Sequence, residues 1–285
     1  MEILRTVAEL RHWSRQERSR GNTVGLVPTM GALHAGHASL IRAARIRAAR
    51  DSSGSVAVSI FVNPTQFGPN EDFARYPRSF DADCALAQAE GADVVFAPTV
   101  EELYPAGAAT FVEVEGLSDR LDGASRPGHF RGVATVVAKL LIAAEPDRAF
   151  FGQKDAAQVA VVRRMVADLR LATEIVVCPI VREPDGLALS SRNVYLSGAE
   201  RAQALVLSRA VRQAEALAAS GERHAIALIA GVRQTFAAVS EIRTDYIEVV
   251  DWATLEPVEI AVPGTLFAVA AYVGPTRLID NAILP

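Results

Sequence analysis

Thr23-Val24-Gly25-Leu26-Val27-Pro28-Thr29-Met30-Gly31-Ala32-Leu33-His34-Ala35-Gly36-His37 is the stretch that decides the fold. Thr23–Val27 is a short apolar run of β-strand type, and Ala38–Arg50 carries a helical pattern with Leu40, Ile41, Ala44 and Ala48 on one face. Between them the chain turns on glycine and ends in two histidines, His34 and His37, from a total of five. A strand, a glycine turn and a helix start bring backbone amides and the positive end of a helix dipole to one point, where phosphate binds. Gly31 and Gly36 lack a Cβ, so a flat purine or ribose can approach the main chain. A cationic ring is disfavoured at a helix N-terminus, so neutral imidazoles donating to phosphate oxygen are expected. The chemistry to expect is attack at the α-phosphorus of ATP. As a simple capping turn or a two-histidine metal site the motif reads less well, since no third ligand accompanies it.

Outward from this stretch the pattern repeats. Apolar, β-branched runs at Ser55–Val62, Asp93–Ala97, Arg148–Phe151 and Glu174–Ile180 alternate with helical patterns at Asp81–Glu90, Gly132–Ala144 and Asp155–Arg170. Strands of this kind separated by helices predict a parallel sheet covered on both faces, with function at the C-terminal strand ends. Thr110–Pro127 reads as an excursion from that sheet. After Val181 the order changes: helical patterns at Gly198–Ser220 and Glu222–Ser240 precede strand-like runs at Thr244–Val250, Thr265–Val273 and Arg277–Ile283. The prediction is an α/β domain over 1–180 and a smaller α+β domain over 181–285. The break falls near Val181–Asp185, where Pro184-Asp185-Gly186 is a turn signal.

Composition narrows the class. Half of the 285 residues are hydrophobic, 22% are charged and the formal net charge is −4. This is a well-cored chain without the basic excess of a nucleic-acid binder. Charges are scattered through Met1–Arg11, so no signal peptide is expected, and no apolar run approaches the ~20 residues of a membrane span. Cys84 and Cys178 are far apart and read as reduced thiols. A cytoplasmic protein is the expectation.

Three further groups could carry chemistry. In Gly152-Gln153-Lys154-Asp155 a lysine at a helix head supplies a mobile cation for a polyphosphate. Asp155 suits an N-cap, a ribose hydroxyl or a metal. In Leu189-Ser190-Ser191-Arg192 two hydroxyls and a guanidinium suit the shifting charge of a pentavalent phosphorus, or more simply a capped turn. Gln66 and Gln158 are neutral amides that could bind hydroxyl and carboxylate groups. The run Arg126–Gly132 could be a basic flap or simply a helix start. A nucleotidyltransferase, an aminoacyl-tRNA synthetase fragment or an ATP-binding regulator would share parts of this set. The first adds AMP to another acid or phosphate.

Taken in order, Pro28–His37, Phe61–Gly68, Tyr76-Pro77-Arg78, Gly128–Val133, Phe151–Asp155 and Ser190–Leu196 resemble the pantothenate synthetase family of AMP-forming ligases. The resemblance implies a Rossmann-like N-terminal domain, a smaller C-terminal domain closing over the ATP site, and a homodimer. The implied substrates are ATP with Mg²⁺, pantoate and β-alanine, joined through a pantoyl adenylate. It implies ATP contacts from Met30, Gly31, Ala32, Leu33, His34, Ala35, Gly36 and His37, with His37 as proton donor. Gly152, Gln153, Lys154, Asp155, Val181, Leu189, Ser190, Ser191 and Arg192 complete that set. His34, His37, Lys154, Ser190, Ser191 and Arg192 carry the catalytic role; Gln66 touches pantoate and β-alanine, and Gln158 binds pantoate. Two departures stand out. The family's Lys-Asp-Tyr-Gln-Gln is Lys154-Asp155-Ala156-Ala157-Gln158 here, and Ala82 stands where an acidic residue is usual. The implied Mg²⁺ therefore has no assigned protein ligand and is expected to be held mainly by ATP phosphates and water.

Overall fold

The computed structural model describes residues 1–51, 53–69, 73–239 and 241–285. Contacts divide the chain into two compact units, Met1–Gly152 with Val161–Pro179, and Gln153–Ala160 with Ile180–Pro285.

In the first unit the elements run β1 (Glu2–Leu4), α1 (Val7–Ser19), β2 (Thr23–Thr29), α2 (Ala35–Arg50), β3 (Gly54–Ile60), α3 (Phe80–Ala89) and β4 (Val94–Phe96). They continue through α4 (Val100–Leu103), α5 (Asp122–Ser125), α6 (His129–Ala144), β5 (Arg148–Gly152), α7 (Ala156–Asp168, of which residues up to Ala160 belong to the second unit) and β6 (Glu174–Cys178). The six strands pair in parallel in the order β1-β4-β3-β2-β5-β6. Val24, Leu26 and Val27 are all buried, so both faces of β2 are covered, as successive side chains point to opposite sides. One face packs Val27, Val56, Val58 and Phe150 against Leu40, Ile41, Ala44 and Ala48 of α2. Fully burying side chains of this size contributes about 1.5–3 kcal/mol each.

The sequence reading of the parallel sheet holds, with shifted ends. α2 begins at Ala35 rather than Ala38, because His34 caps it, and α6 begins at His129 rather than Gly132. Two elements, β1 and α1, are additions to that reading. The latter is started by a capping box in which Thr6 Oγ1 accepts the Glu9 N–H and Glu9 returns a bond to the Thr6 N–H. Thr110–Pro127 contains no strand among its described residues, only turns and α5.

The second unit holds α8 (Gly198–Ala219), α9 (Ala225–Ala237), β7 (Ile242–Val250), β8 (Leu266–Val273) and β9 (Thr276–Ile283). The strands form an antiparallel sheet in the order β7-β8-β9. Ala204, Leu207, Val211, Leu228 and Val232 of the helices bury with Phe267, Val269 and Val273 of β8. The helix expected at Glu222–Ser240 is shorter, since residues before Ala225 form a turn and Ser240 lies outside the described residues. Among the described residues both cysteines are free thiols, and no helix is long and apolar enough to cross a membrane.

Candidate active site

At the C-terminal end of β2 the chain leaves the sheet in a left-handed turn, with φ +81° at Gly31 and +50° at Ala32. Thr29 Oγ1 donates to the Ser59 carbonyl at 2.7 Å and accepts the Gly31 N–H at 3.2 Å. The turn is held from α3. Asp83, buried, accepts the Ala32 N–H at 2.9 Å and the Leu33 N–H at 2.8 Å, and takes a third bond from Ser79 Oγ at 3.0 Å. A Cβ at position 31 would lie 3.0 Å from that carboxylate and 3.2 Å from Ile60 Cγ2, so space as well as φ demands glycine there.

His34 and His37 then form the N-terminal cap of α2. His34 Nδ1 accepts the Gly36 N–H at 3.1 Å, and His37 Nδ1 accepts the His34 N–H at 3.3 Å. The rings lie 4.1 Å apart, centroid to centroid. A neutral imidazole has one N–H, so accepting at Nδ1 assigns the proton of each ring to Nε2. The structure thus shows the capping reading of the motif directly, with Nδ1 of each ring engaged by a backbone N–H. Met30, Ala35 and Gly36 complete the turn and the first residues of α2.

A second structured turn follows β3. Asn63, fully buried, accepts the Thr65 N–H and Oγ1–H through Oδ1. Its amide donates to Gln66 Oε1 at 2.9 Å and to the Gly132 carbonyl at 3.1 Å. With Oε1 engaged, Gln66 keeps its amide hydrogens for a ligand acceptor. The Gln66 carbonyl accepts His129 Nδ1–H at 2.8 Å, while Arg126 lies 3.0 Å from His129 Nε2. His129 is thus the opposite tautomer of the capping pair. The Arg126–Gly132 run is a helix start that braces the Gln66 turn. At Gly132 a Cβ would come within 2.2 Å of the Thr65 carbonyl, so glycine lets α6 rest directly on that turn.

In the second unit Gln153–Asp155 form a single 3-10 turn leading into α7. The Lys154 ammonium lies 3.4 Å from Asp155 Oδ1 and the side chain is 22% exposed. Ala156 and Ala157 are buried, and Trp252 Nε1 donates to the Ala156 carbonyl at 3.0 Å. Gln158, half-buried, lies in the first turn of α7. Further along, the Leu189 N–H meets the Val181 carbonyl at 3.0 Å and closes a hairpin across Glu183–Gly186. Ser190 caps the next 3-10 turn, Ser191–Tyr195, with Oγ accepting the Arg192 N–H at 3.3 Å. Asn193 anchors this turn by donating to Glu183 Oε1 at 2.6 Å and to the Ala188 carbonyl at 3.1 Å. The Arg201 hydrogen bond holds the Glu183 carboxyl below its usual range. Partial burial opposes the shift and the Asn193 amide adds to it.

Within the first unit the structure brings together the two histidines and, separately, Gln66 with its braces. Within the second it builds the Lys154 turn and the Ser190–Arg192 turn on their own supports. The sequence reading overlooked those supports, Asp83, Asn63 and Asn193. An Asn-Pro-Thr start at Asn63 is an Asx-turn signal that could have identified one of them.

No group of three His, Cys, Asp or Glu residues able to hold a metal occurs among the described residues. Asp83, the acidic side chain beside the turn, already accepts hydrogen bonds at both oxygens.

A family model described as pantoate-beta-alanine ligase matches residues 2–283. The pantothenate synthetase of Acidobacterium capsulatum is 59% identical over 295 residues, covering 100% of this chain and 97% of the relative. That of Koribacter versatilis is 55% identical, covering 100% and 96%. The crystal structure of pantothenate synthetase from Thermus thermophilus is similar at a TM-score of 0.92, with 48% identity and 100% of both chains covered. The Francisella tularensis pantoate-beta-alanine ligase, complexed with beta-gamma ATP and beta-alanine, matches at a TM-score of 0.79 and 34% identity. It covers 99% of this chain and 97% of that one.

Proposed function

The chain belongs to the pantoate-beta-alanine ligase family, and on that premise we propose that it condenses pantoate with β-alanine at the expense of ATP. The pantoate carboxylate attacks the α-phosphorus in line, the P–O bond to pyrophosphate breaks, and a pantoyl adenylate forms. The β-alanine amine then attacks the acyl carbon, AMP leaves, and the amine proton passes to solvent. No protein nucleophile is required. The observation that carries this reading is the glycine turn after β2, held by Asp83 and followed by the histidine-capped start of α2, where a strand ends and a helix begins.

Residue roles follow from donor chemistry and the family resemblance. His34 and His37 donate hydrogen bonds from Nε2–H to phosphate oxygens, and the donor role that the resemblance gives His37 is that hydrogen bond. Lys154, Ser190, Ser191 and Arg192 compensate charge moving onto pyrophosphate. The main chain at Met30–Leu33, Ala35, Gly36, Gly152, Gln153, Val181 and Leu189, together with Asp155, receives the rest of the nucleotide. Gln66 touches pantoate and β-alanine, and Gln158 binds pantoate. Mg²⁺ enters as part of the nucleotide, held mainly by phosphate oxygens and water. In functional terms residues 1–180 receive nucleotide and pantoate, and residues 181–285 supply the serine–arginine turn. A cytoplasmic homodimer completes the proposal.

Pantoate-dependent exchange of labelled pyrophosphate into ATP by the purified protein tests the first step. AMP formation that rises on adding β-alanine tests the second. Absence of the exchange overturns the scheme, and AMP transferred to a phosphate acceptor instead would establish a nucleotidyltransferase. Light scattering tests the dimer.

A further inference from the structure

The main chain of the short 3-10 turn that carries Lys154 is gripped by a residue 127 positions away. Asn281 of β9 donates through Nδ2 to the Gln153 carbonyl at 3.0 Å and to the Lys154 carbonyl at 2.9 Å. Its Oδ1 accepts the Gln153 side-chain amide at 3.2 Å. The residue is only 4% exposed, and every polar atom of its side chain is committed to this one turn. The adjacent residue of β9, Asp280, is 2% exposed and takes Arg182 in a two-point ion pair at 2.6 and 3.0 Å. The Asp280 carboxylate also accepts the Asn281 N–H at 2.8 Å, which fixes the asparagine's own main chain. Arg182 stands at the base of the hairpin that leads into Ser190–Arg192.

We propose that Asn281 is a positioning residue for Lys154 in adenylate formation, a role that rests on the reading of Lys154 as a phosphate-binding cation. A lysine has a long, flexible stem, so the placement of its ammonium depends on where its main chain is fixed. A three-residue 3-10 turn cannot fix itself, and two carbonyls deprived of their donor would shift to find others. A displacement of about 1 Å at a charge-stabilising group is enough to cost on the order of 10²-fold in rate.

Four proteins test this: Asn281→Ala, Asn281→Asp, Lys154→Ala and the Asn281→Ala/Lys154→Ala double variant, each as the full chain with folding checked by circular dichroism. The readouts are pantoate-dependent pyrophosphate exchange and the KM for β-alanine. Asn281→Ala is expected to slow exchange by about 10-fold or more while the KM for β-alanine stays put. Asn281→Asp keeps the volume and the acceptor for Gln153 but turns an oxygen toward two carbonyls, and a similar loss is expected. If Asn281 acts through Lys154, adding Asn281→Ala to Lys154→Ala costs less than about threefold more, because the two changes remove the same interaction. Full exchange by Asn281→Ala, or single losses that multiply in the double variant, overturns the proposal while leaving the role of Lys154 intact. Full exchange by Lys154→Ala overturns the underlying reading and the proposal with it. Should Asn281→Ala fail to fold, the aspartate variant decides, and full exchange there overturns the proposal.

Discussion

Asp83 accepts the backbone N–H of Ala32 at 2.9 Å, across 51 residues of chain, so a carboxylate in α3 holds a left-handed residue in the turn after β2. With Leu33 also bonded to Asp83, the turn that delivers His34 has its amides fixed from outside. Asp83→Asn keeps the size but sets a donor against one of those N–H groups. A buried donor left unsatisfied costs about 1–3 kcal/mol. The variant should fold, melt lower and bind ATP more weakly. Calorimetry and the KM for ATP check this, and an unchanged KM would remove the positioning role.

Substituting the proposed charge-stabilising groups should slow chemistry more than binding. His37→Ala and Lys154→Ala are each expected to lower kcat for adenylate formation ~10²-fold, if each supplies ~3 kcal/mol to the transition state. Gln158→Ala should instead raise the KM for pantoate with a smaller change in kcat. Single-turnover measurements with saturating and limiting pantoate separate these patterns.

Gly132→Ala is a purely steric test. Its methyl would stand 2.2 Å from the Thr65 carbonyl, so α6 or the Gln66 turn must move. Forced overpacking costs roughly 1–3 kcal/mol. A lower melting temperature is expected together with weaker pantoate binding, although no polar group has been touched.

Acid should loosen the support of the serine turn. Glu183 is held below the ordinary carboxylate value of 4.5 by its bond from Arg201. The folded state therefore gains from its ionised form at neutral pH, and that gain is lost as pH falls through 4.5 and then through the lowered folded value. Melting curves from neutral pH down to about pH 3 should show a shallower acid decline for Glu183→Gln than for the parent chain. Identical slopes would exclude the linkage.

The parallel sheet was legible because its longer strands are compact apolar runs, β-branched in β2, β3 and β6, and α2 repeats its apolar residues every three or four positions. β1 is only three residues long and has no period to read. In α1 the buried residues Leu10 and Trp13 stand among three arginines and two glutamates. The histidine, glutamine, lysine and serine candidates were visible as residue types beside turns. Asp83 and Asn281 were not, since they grip main-chain groups 50 and 127 residues away and a backbone group leaves no mark on sequence, whereas Asn63 did carry an Asx-turn signal. The Gly132 requirement is likewise invisible until Thr65 lies against it.

The tautomers of His34 and His37 also decide what they refuse. Each ring has committed its Nδ1 lone pair to a backbone N–H and holds its proton at Nε2. A divalent cation needs imidazole lone pairs, and to obtain two of them here it would have to strip the protons or unwind the start of α2. Binding an oxyanion, as proposed for this turn, makes no call on those lone pairs. The cap of α2 thus costs the two side chains the half of a metal centre they would offer in another setting.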